Sequence, residues 1–347
     1  MNQESDKIRF VLVGCGKISR NHIAGVQRIA DVAKMVAVCD PNEERAKAAA
    51  EACGDVPFFT SIESMLAGCE AECAIVGTPS GMHPEHAALI AKGGMHVITE
   101  KPMAVNLAAA DAMLTAVHEA GKELFVIKQN RLLPSVQALH EALDRGAFGK
   151  LLMGQVNVFW TRPQAYYDEA PWRGTWAMDG GAFLNQASHY VDLLQWLFGP
   201  VESVQGRIAT MSRDIEAEDS GAALIRFASG ALATINVTML TYPKNLEGSI
   251  TVLGERGTVK LSGRGLSELS AWEIEGEEKP TGLDPAPSEP GAGHAPYFRN
   301  VVDAIRGKAE ASTSGIEARK SLELIEAIYT ASREERVVRL PLTDKAS

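Results

Sequence analysis

The feature that most constrains the fold is a short apolar run closed by glycines, followed by a helix and a second run that ends on an acid. Ile8 to Val13 has strand length and leads into Gly14-Cys15-Gly16-Lys17-Ile18-Ser19. A helical pattern follows from about Arg20, and a second strand, Met35 to Cys39, ends on Asp40. This order predicts a parallel βαβ unit. Glycines in the first turn allow the backbone to approach a pyrophosphate, and a helix N-terminus offers free N–H groups to its charge. Ser19 stands where a third glycine or an alanine is usual, and a serine there can also cap the helix. Asp40 is placed to accept hydrogen bonds from ribose hydroxyls and would repel a 2′-phosphate, which predicts NAD rather than NADP. Gly14, Gly16, Lys17, Ile18 and Asp40 are the cofactor-binding residues expected on this unit.

Further βα units follow. Cys73 to Gly77 reads as a strand ending in Thr78-Pro79-Ser80-Gly81-Met82-His83, with a helix running to about Lys92. His96 to Thr99 is a strand ending in Glu100-Lys101-Pro102. A helix from about Asn106 to Ala120 precedes a strand from Leu124 to Lys128, which leads into Gln129. Strands alternating with helices predict an α/β Rossmann domain with a doubly wound parallel sheet over residues 1–128. Such sheets bind ligands at the carboxyl ends of their strands. Thr78, Pro79, Ser80, His83, Glu100, Lys101 and Gln129 are therefore expected around the cofactor. Pro102 disfavours helical geometry at Lys101, so an extended Lys101 would project its ammonium from the strand end.

From about residue 150 the pattern changes to long runs of strand type: Leu151–Thr161, Val201–Met211, Ala222–Phe227, Leu232–Leu240, Ser249–Leu253, Thr258–Leu261 and Leu269–Ile274. Glycine-containing turns between them predict a C-terminal α+β domain, residues 129–347, with an open, mostly antiparallel sheet. Residues 276–296 read as a surface loop rich in Pro, Gly and Glu. Helices at Tyr297–Arg306 and Gly315–Ser332 close the chain, the last one expected to pack back on the first domain.

Two stretches of this half carry polar groups suited to chemistry. In Gly180 to Phe198, one apolar stripe (Phe183, Ala187, Tyr190, Val191, Leu194, Leu197, Phe198) predicts a buried helix face. Asn185, His189 and Asp192 follow at helical spacing on a second stripe. An imidazole between an amide and a carboxylate suits proton transfer, and it equally suits a core histidine satisfied by its neighbours. The second stretch, Trp160 to Trp176, is dense in aromatics and arginines. Arginines offer forked donors to carboxylate or phosphate, and aromatic faces suit sugars or bases; the same rings could instead pack on the sheet.

Composition limits the partners. The net charge is −10 and no basic block is present, which argues against nucleic acid. Residues 1–7 are polar and no apolar stretch reaches membrane-spanning length, so the expectation is a soluble cytoplasmic protein without a leader or anchor. The cysteines, Cys15, Cys39, Cys53, Cys69 and Cys73, are odd in number and lie in the first quarter. Cys69 and Cys73 have no nearby histidine or second cysteine pair, so neither a disulfide framework nor a metal centre is expected.

On Gly14-x-Gly16, Thr78-Pro79-Ser80, Glu100-Lys101-Pro102 and Asn185-x-x-x-His189, nearly the whole chain resembles the glucose–fructose oxidoreductase and inositol dehydrogenase (Gfo/Idh/MocA) family. The resemblance implies hydride transfer between NAD(P) and a sugar-like alcohol, with Lys101 and His189 as the catalytic pair. It also implies a homo-oligomer, dimer or tetramer, formed through the C-terminal sheet. Many members carry Asp where this chain has Asn185, which suggests that the amide binds a substrate hydroxyl. A narrower resemblance rests on Lys128-Gln129-Asn130-Arg131, Phe159–Arg173, Gly180–Asp192 and Asn245-Leu246-Glu247-Gly248-Ser249. These stretches are similar to bacterial UDP-N-acetyl-2-amino-2-deoxyglucuronate dehydrogenases, which oxidise the sugar C3 hydroxyl on the route to diacetamido uronic acids of surface polysaccharides. It implies a nucleotide-sugar substrate held by Lys101, Asn130, Arg131, Arg162, Tyr167, Asn185 and His189, with Trp172 and Arg173 on the cofactor. Dehydrogenation of a neutral polyol or free sugar, and NAD and sugar binding without turnover, are the alternatives. Retention of both Lys101 and His189 disfavours the last.

Oxidising a secondary alcohol requires a hydride acceptor, a base for the hydroxyl proton and a donor for the developing alkoxide. An unperturbed imidazole titrates near about 6.5, which suits His189 as the base near neutral pH. Lys101 as ammonium would hold the oxygen. The reverse assignment needs a large fall in the lysine pKa. An anionic sugar must find local cations against the overall negative charge, and Lys101, Lys128, Arg131, Arg162 and Arg173 are the ones expected to supply them.

Overall fold

A computed structural model describes residues 6–283 and 288–342; part of the expected 276–296 loop, at 284–287, lies outside the described residues. The chain forms two compact units, one of Met1–Gln129 with Pro287–Arg319, the other of Asn130–Ala286 with Lys320–Ser347. The chain thus returns to the first unit for a segment after the second sheet is complete.

In the first unit, β1 (Ile8–Val13), α1 (Ser19–Gln27), β2 (Ala33–Cys39), α2 (Glu43–Ala52), β3 (Phe58–Phe59), α3 (Ile62–Gly68), β4 (Cys73–Val76), α4 (His83–Lys92), β5 (His96–Thr99), α5 (Leu107–Glu119) and β6 (Leu124–Val126) follow in order. The six strands pair in parallel in the order β3-β2-β1-β4-β5-β6. The order reverses between β1 and β4, where the crossovers leave on opposite faces and open a crevice at the carboxyl ends. The core strands are apolar on both faces because helices cover both. Side-chain caps start several helices where the sequence supplies them: Asn42 accepts from the Arg45 amide, Ser61 from Ser64 and Asn106 from Ala109.

The second unit contains α6 (Pro134–Asp144), β7 (Leu151–Phe159), α7 (Gln164–Asp168), a π-helical turn over Ala182–Gln186, α8 (Ser188–Phe198), β8 (Val201–Ala209), β9 (Ser220–Phe227), β10 (Leu232–Thr238), β11 (Glu247–Gly254), β12 (Gly257–Ser262) and β13 (Glu268–Ile274). The chain then gives α9 (Ala295–Ile305) to the first unit. It continues into α10 (Gly315–Glu334), which passes from the first unit to the second, and ends with β14 (Val338–Arg339). The eight strands pair in the order β13-β12-β11-β7-β10-β9-β8-β14, all antiparallel except β10 with β7. Helix α8 packs over β7 and β11, and every residue of its expected apolar stripe is buried. Among the described residues, no helix is long and apolar enough to cross a membrane.

The helix expected to run unbroken from Phe183 through His189 is instead two segments. The first closes with a wide turn, the Ala187 amide donating to the Ala182 carbonyl at 2.8 Å, and Glu218 anchors its start. The Glu218 backbone carbonyl accepts the Ala182 amide and its carboxylate accepts the Phe183 amide, each at 2.8 Å, so these donors are satisfied outside the helix. Gly181 permits the contact, because a Cβ there would fall 1.8 Å from the Glu218 carboxylate. Asn185 and His189 consequently lie on different segments rather than on one continuous face.

Asp192, on α8, is paired with Arg131 through Nε at 2.8 Å and Nη2 at 3.0 Å. Both side chains are almost wholly buried, and the Arg131 guanidinium also lies over the Trp196 ring at 4.9 Å. Removing one partner of such a pair strands a charge in the interior, which costs about 3–5 kcal/mol. Asp192→Ala is therefore expected to lower the unfolding free energy by about that amount in urea denaturation; a loss under about 1 kcal/mol would show that the pair does not anchor α8.

Candidate active site

The first unit gathers the expected cofactor residues at the carboxyl ends of β1, β2, β4 and β5. Gly14 takes φ of +96°, and a Cβ there would lie 2.7 Å from the Gly77 carbonyl carbon, so the loops after β1 and β4 approach as only glycine allows. Gly16 faces open space, with nothing within 4 Å of where its Cβ would be. Ile18 caps α1 without a side-chain hydrogen bond, and Lys17 beside it is exposed. Ser19 begins the helix and donates from its hydroxyl to the Gly16 carbonyl at 2.7 Å, which tightens the turn in place of the usual small residue. Asp40 is held by the amides of Cys15 and Asn42, each at 2.8 Å. Each of its oxygens keeps a further lone pair for a hydroxyl donor.

The open position at Gly16, the uncapped helix and the fixed carboxylate fit a dinucleotide. Pro79 and Ser80 form the turn entering α4, with Ser80 largely buried. Gln129 has a buried side-chain carbonyl with no partner among the described residues, an acceptor open to a ligand donor. Lys101 follows Glu100 at the end of β5, and its amide donates to the Glu100 carboxylate at 3.1 Å.

His83 departs from expectation. It is buried, with Nε2 2.8 Å from the Thr78 carbonyl and Nδ1 2.9 Å from that of Pro102. Both ring nitrogens are engaged by backbone, so His83 braces the loops after β4 and β5 and has no ring nitrogen left for the cofactor. Thr78 is held similarly, its hydroxyl 3.0 Å from Nδ1 of His86.

Glu100 lies beside two histidines that no sequence pattern linked, His22 of α1 and His294 at the start of α9. Burial alone would raise the Glu100 carboxyl, but His294, His22 and Lys101 hold it well below the usual carboxylate range. Burial pushes His22 down to about 4, against the pull of Glu100, so its imidazole is neutral near pH 7.

In the second unit, His189 is half-buried at the start of α8. Asn185, also half-buried, donates its amide to Asp179, which in turn accepts the Gly174 amide at 2.8 Å. The Asn185 oxygen accepts from Gln186 at 3.2 Å. Asp179 is thus a positioning residue that the sequence pattern did not single out. Its only local signal is the Asp-Gly-Gly turn of Asp179-Gly180-Gly181.

The aromatic loop is a stack of rings and guanidinium groups. Arg162 lies over Trp160 at 5.1 Å and Tyr166 at 5.6 Å, and donates to Gln186 and to the Thr161 carbonyl, each at 2.8 Å. Arg173 lies over Tyr166 at 4.3 Å and Trp172 at 5.7 Å, and pairs with Glu169 at 2.8 Å. Tyr167 is buried edge-on to Tyr166, and burial pushes its hydroxyl pKa up.

The expected cations therefore separate. Arg131 is committed to Asp192 in the interior, which removes the expectation that it binds the sugar; its side chain is 3% exposed. Arg173 is neutralised by Glu169, and Lys128 is buried. Arg162, with two neutral acceptors, keeps its charge for an anion. Asn130 is half-buried in the turn that carries Arg131.

This combination defines a dinucleotide-dependent oxidoreductase: a parallel sheet with a phosphate turn, and a second sheet domain bearing a histidine and stacked arginines. Two family models match the chain, one described as an oxidoreductase family with an NAD-binding Rossmann fold over residues 8–128, the other as the GFO/IDH/MocA C-terminal domain over residues 136–260. The chain belongs to the GFO/IDH/MocA family of NAD-dependent oxidoreductases. It is 49% identical to the WlbA dehydrogenase of Bordetella pertussis, solved in complex with NADH and UDP-GlcNAcA, over 97% of this chain and 100% of that one, with a TM-score of 0.89. The WlbA dehydrogenase of Chromobacterium violaceum, solved with the same two ligands, is 48% identical over 97% of each chain, with a TM-score of 0.90. A D-apiose dehydrogenase of Paraburkholderia graminis is 28% identical over 96% of this chain and 90% of its own.

Glu218 yields a test of the support beneath this site. Its carboxylate accepts from Phe183 and from the Tyr329 hydroxyl at 2.9 Å, and burial raises its pKa to about 7. A folded-state pKa above the unfolded value means that the folded protein holds the proton longer. The Glu218 contribution to stability is therefore present below about pH 4.5 and lost as the pH rises to about 7. The side chain is 1% exposed, and the shift corresponds to roughly 3 kcal/mol. Glu218→Gln keeps the acceptor oxygen and cannot ionise. It is expected to remove this slope from stability measured against pH and to raise stability at pH 8 by up to about 3 kcal/mol. An unchanged slope would show that Glu218 titrates normally.

Proposed function

We propose that this protein oxidises the C3 hydroxyl of UDP-N-acetylglucosaminuronic acid to the 3-keto sugar, using NAD. The observation that carries this reading is the 49% identity, across 97% of the chain, to a dehydrogenase solved with NADH and that nucleotide sugar. The charge left on Arg162 by its neutral partners supports an acidic substrate.

The bound nicotinamide supplies the hydride acceptor. His189 takes the hydroxyl proton as neutral imidazole, while the Lys101 ammonium holds the oxygen as its charge develops. Asn185, oriented by Asp179, hydrogen-bonds a sugar hydroxyl. Loss of hydride and proton leaves the C3 ketone. Arg162 holds the acidic part of the substrate, and the rings it stacks on exclude water around that ion pair. Arg131 acts on none of these atoms; it positions α8 through Asp192. The ketone is the activated form from which a transamination at C3 would proceed, which fits a role in making diacetamido uronic acids for surface polysaccharide. The work is proposed to be done by a cytoplasmic homo-oligomer.

With NAD, UDP-N-acetylglucosaminuronic acid is expected to produce NADH absorbance, whereas myo-inositol and glucose are not; turnover of inositol or glucose instead would overturn the substrate. Lys101→Met and His189→Asn should each lower kcat by at least about 100-fold. Near-normal turnover in both would remove them from the chemistry. Arg162→Met should raise KM for the nucleotide sugar at least about tenfold and leave that for NAD within about twofold. An equal rise in both would place Arg162 outside the sugar site.

A further inference from the structure

We propose that His22, Glu100 and His294 form a binding site for one divalent transition-metal ion of the zinc type. The site lies wholly within the first unit and joins three segments remote in sequence: α1, the residue after β5, and the residue that caps α9.

Convergence is the first support. One ligand atom from each residue lies within 4.8 Å of the other two. His22 Nε2 is 3.4 Å from Glu100 Oε1, and His294 Nε2 is 3.7 Å from the same oxygen. Neither contact has the distance and angle of a well-formed hydrogen bond. The separations are close to the edge of a zinc tetrahedron, which is about 3.4 Å when zinc–ligand bonds are about 2.1 Å. A single ion could therefore reach all three atoms after small shifts.

The second support is independent of spacing. The His22 side chain is 0% exposed and that of His294 8%, yet neither ring nitrogen of His22, nor Nε2 of His294, has a hydrogen-bond partner among the described residues. Buried polar atoms are ordinarily paired, and a metal ion would pair His22 Nε2 and His294 Nε2, the two nitrogens that face the Glu100 carboxylate. Two neutral imidazoles and a carboxylate make a donor set typical of zinc, with a fourth position left for water. The ion would leave Glu100 Oε2 on the Lys101 amide, where it already accepts a hydrogen bond at 3.1 Å. Metal binding would thus fasten α9 to α1 and fix the backbone that carries Lys101.

This is separate from the proposed reaction, in which none of the three ligand atoms acts on the sugar. The test uses the untagged full chain, stripped with a chelator and then titrated with Zn2+ alone. One zinc per chain is expected to survive gel filtration, and the melting temperature is expected to rise with zinc and fall again with chelator. The X-ray absorption spectrum of the loaded protein should show two imidazoles with one or two oxygens. His294→Gln and His22→Gln should each weaken zinc binding at least tenfold, while His118→Gln, on an exposed position, should not. Failure to bind zinc at micromolar free concentration would overturn the proposal, as would wild-type zinc affinity in both ligand variants. Should those variants not fold, the ligand shell of the wild-type protein decides: a shell without two imidazoles means an adventitious ion only. Turnover of the nucleotide sugar by a chain that binds no zinc would overturn this site and leave the proposed function standing.

Discussion

Two parallel strands whose crossovers leave on opposite faces must part at their carboxyl ends, and the chemistry of the first unit depends on that parting. β1 and β4 are neighbours, yet the chain leaves β1 for one face and β4 for the other. The loops stay close only because Gly14 has no Cβ to meet the backbone of Gly77 and Thr78. From this follow the open backbone at Gly16, the uncapped start of α1 and the placement of Asp40. The same divergence puts Thr78, Glu100 and Lys101 at one end of the sheet. His83 uses both ring nitrogens to keep the loops carrying Thr78 and Pro102 in register.

The second unit meets a different constraint. A helix that presents a polar residue near its N-terminus must be pinned from below, since its apolar face alone fixes only its axis. Arg131 and Asp192 pin α8 in the interior, and Glu218 against Gly181 anchors the start of the π-helical turn just before it. Such turns recur at functional sites because they aim a side chain out of helical phase. Here the residue so aimed is Asn185, held by Asp179. A charged pair and an acid of raised pKa are poor stabilisers of a core. Their value lies in setting where Asn185 and His189 stand.

Local pattern made most of the fold legible. The strand at His96–Thr99 ends where the apolar run ends, and Asn106 caps α5 as its position before an apolar helix suggests. The runs after residue 150 all became strands, three of them shorter than the run and four longer. The two-residue β3 and the helices α2, α3 and α6 carry weak or short patterns and were not distinguished from their surroundings. The π-helical turn was invisible, and Glu218, which anchors its start, lies 35 residues from Phe183. Long-range pairing also reassigned side chains. Arg131 reads as a ligand donor by type, but its partner Asp192 is 61 residues away and consumes its charge. His83 sits at a strand end and reads as a contact, while its acceptors are backbone carbonyls that no side-chain pattern reveals. The convergence of His22 and His294 on Glu100 is set wholly by the fold.

In the proposed reaction, hydride leaves C3 of an acidic nucleotide sugar for NAD. The most direct measurement supplies UDP-N-acetylglucosaminuronic acid with deuterium at C3, then extracts the cofactor from the denatured protein and weighs it. This reads the transfer whether NADH is released or stays bound. NADH heavier by the mass of one deuterium in place of hydrogen is expected. NADH without the label would place the oxidation at another carbon, and NAD left unreduced would rule out oxidation of this sugar altogether.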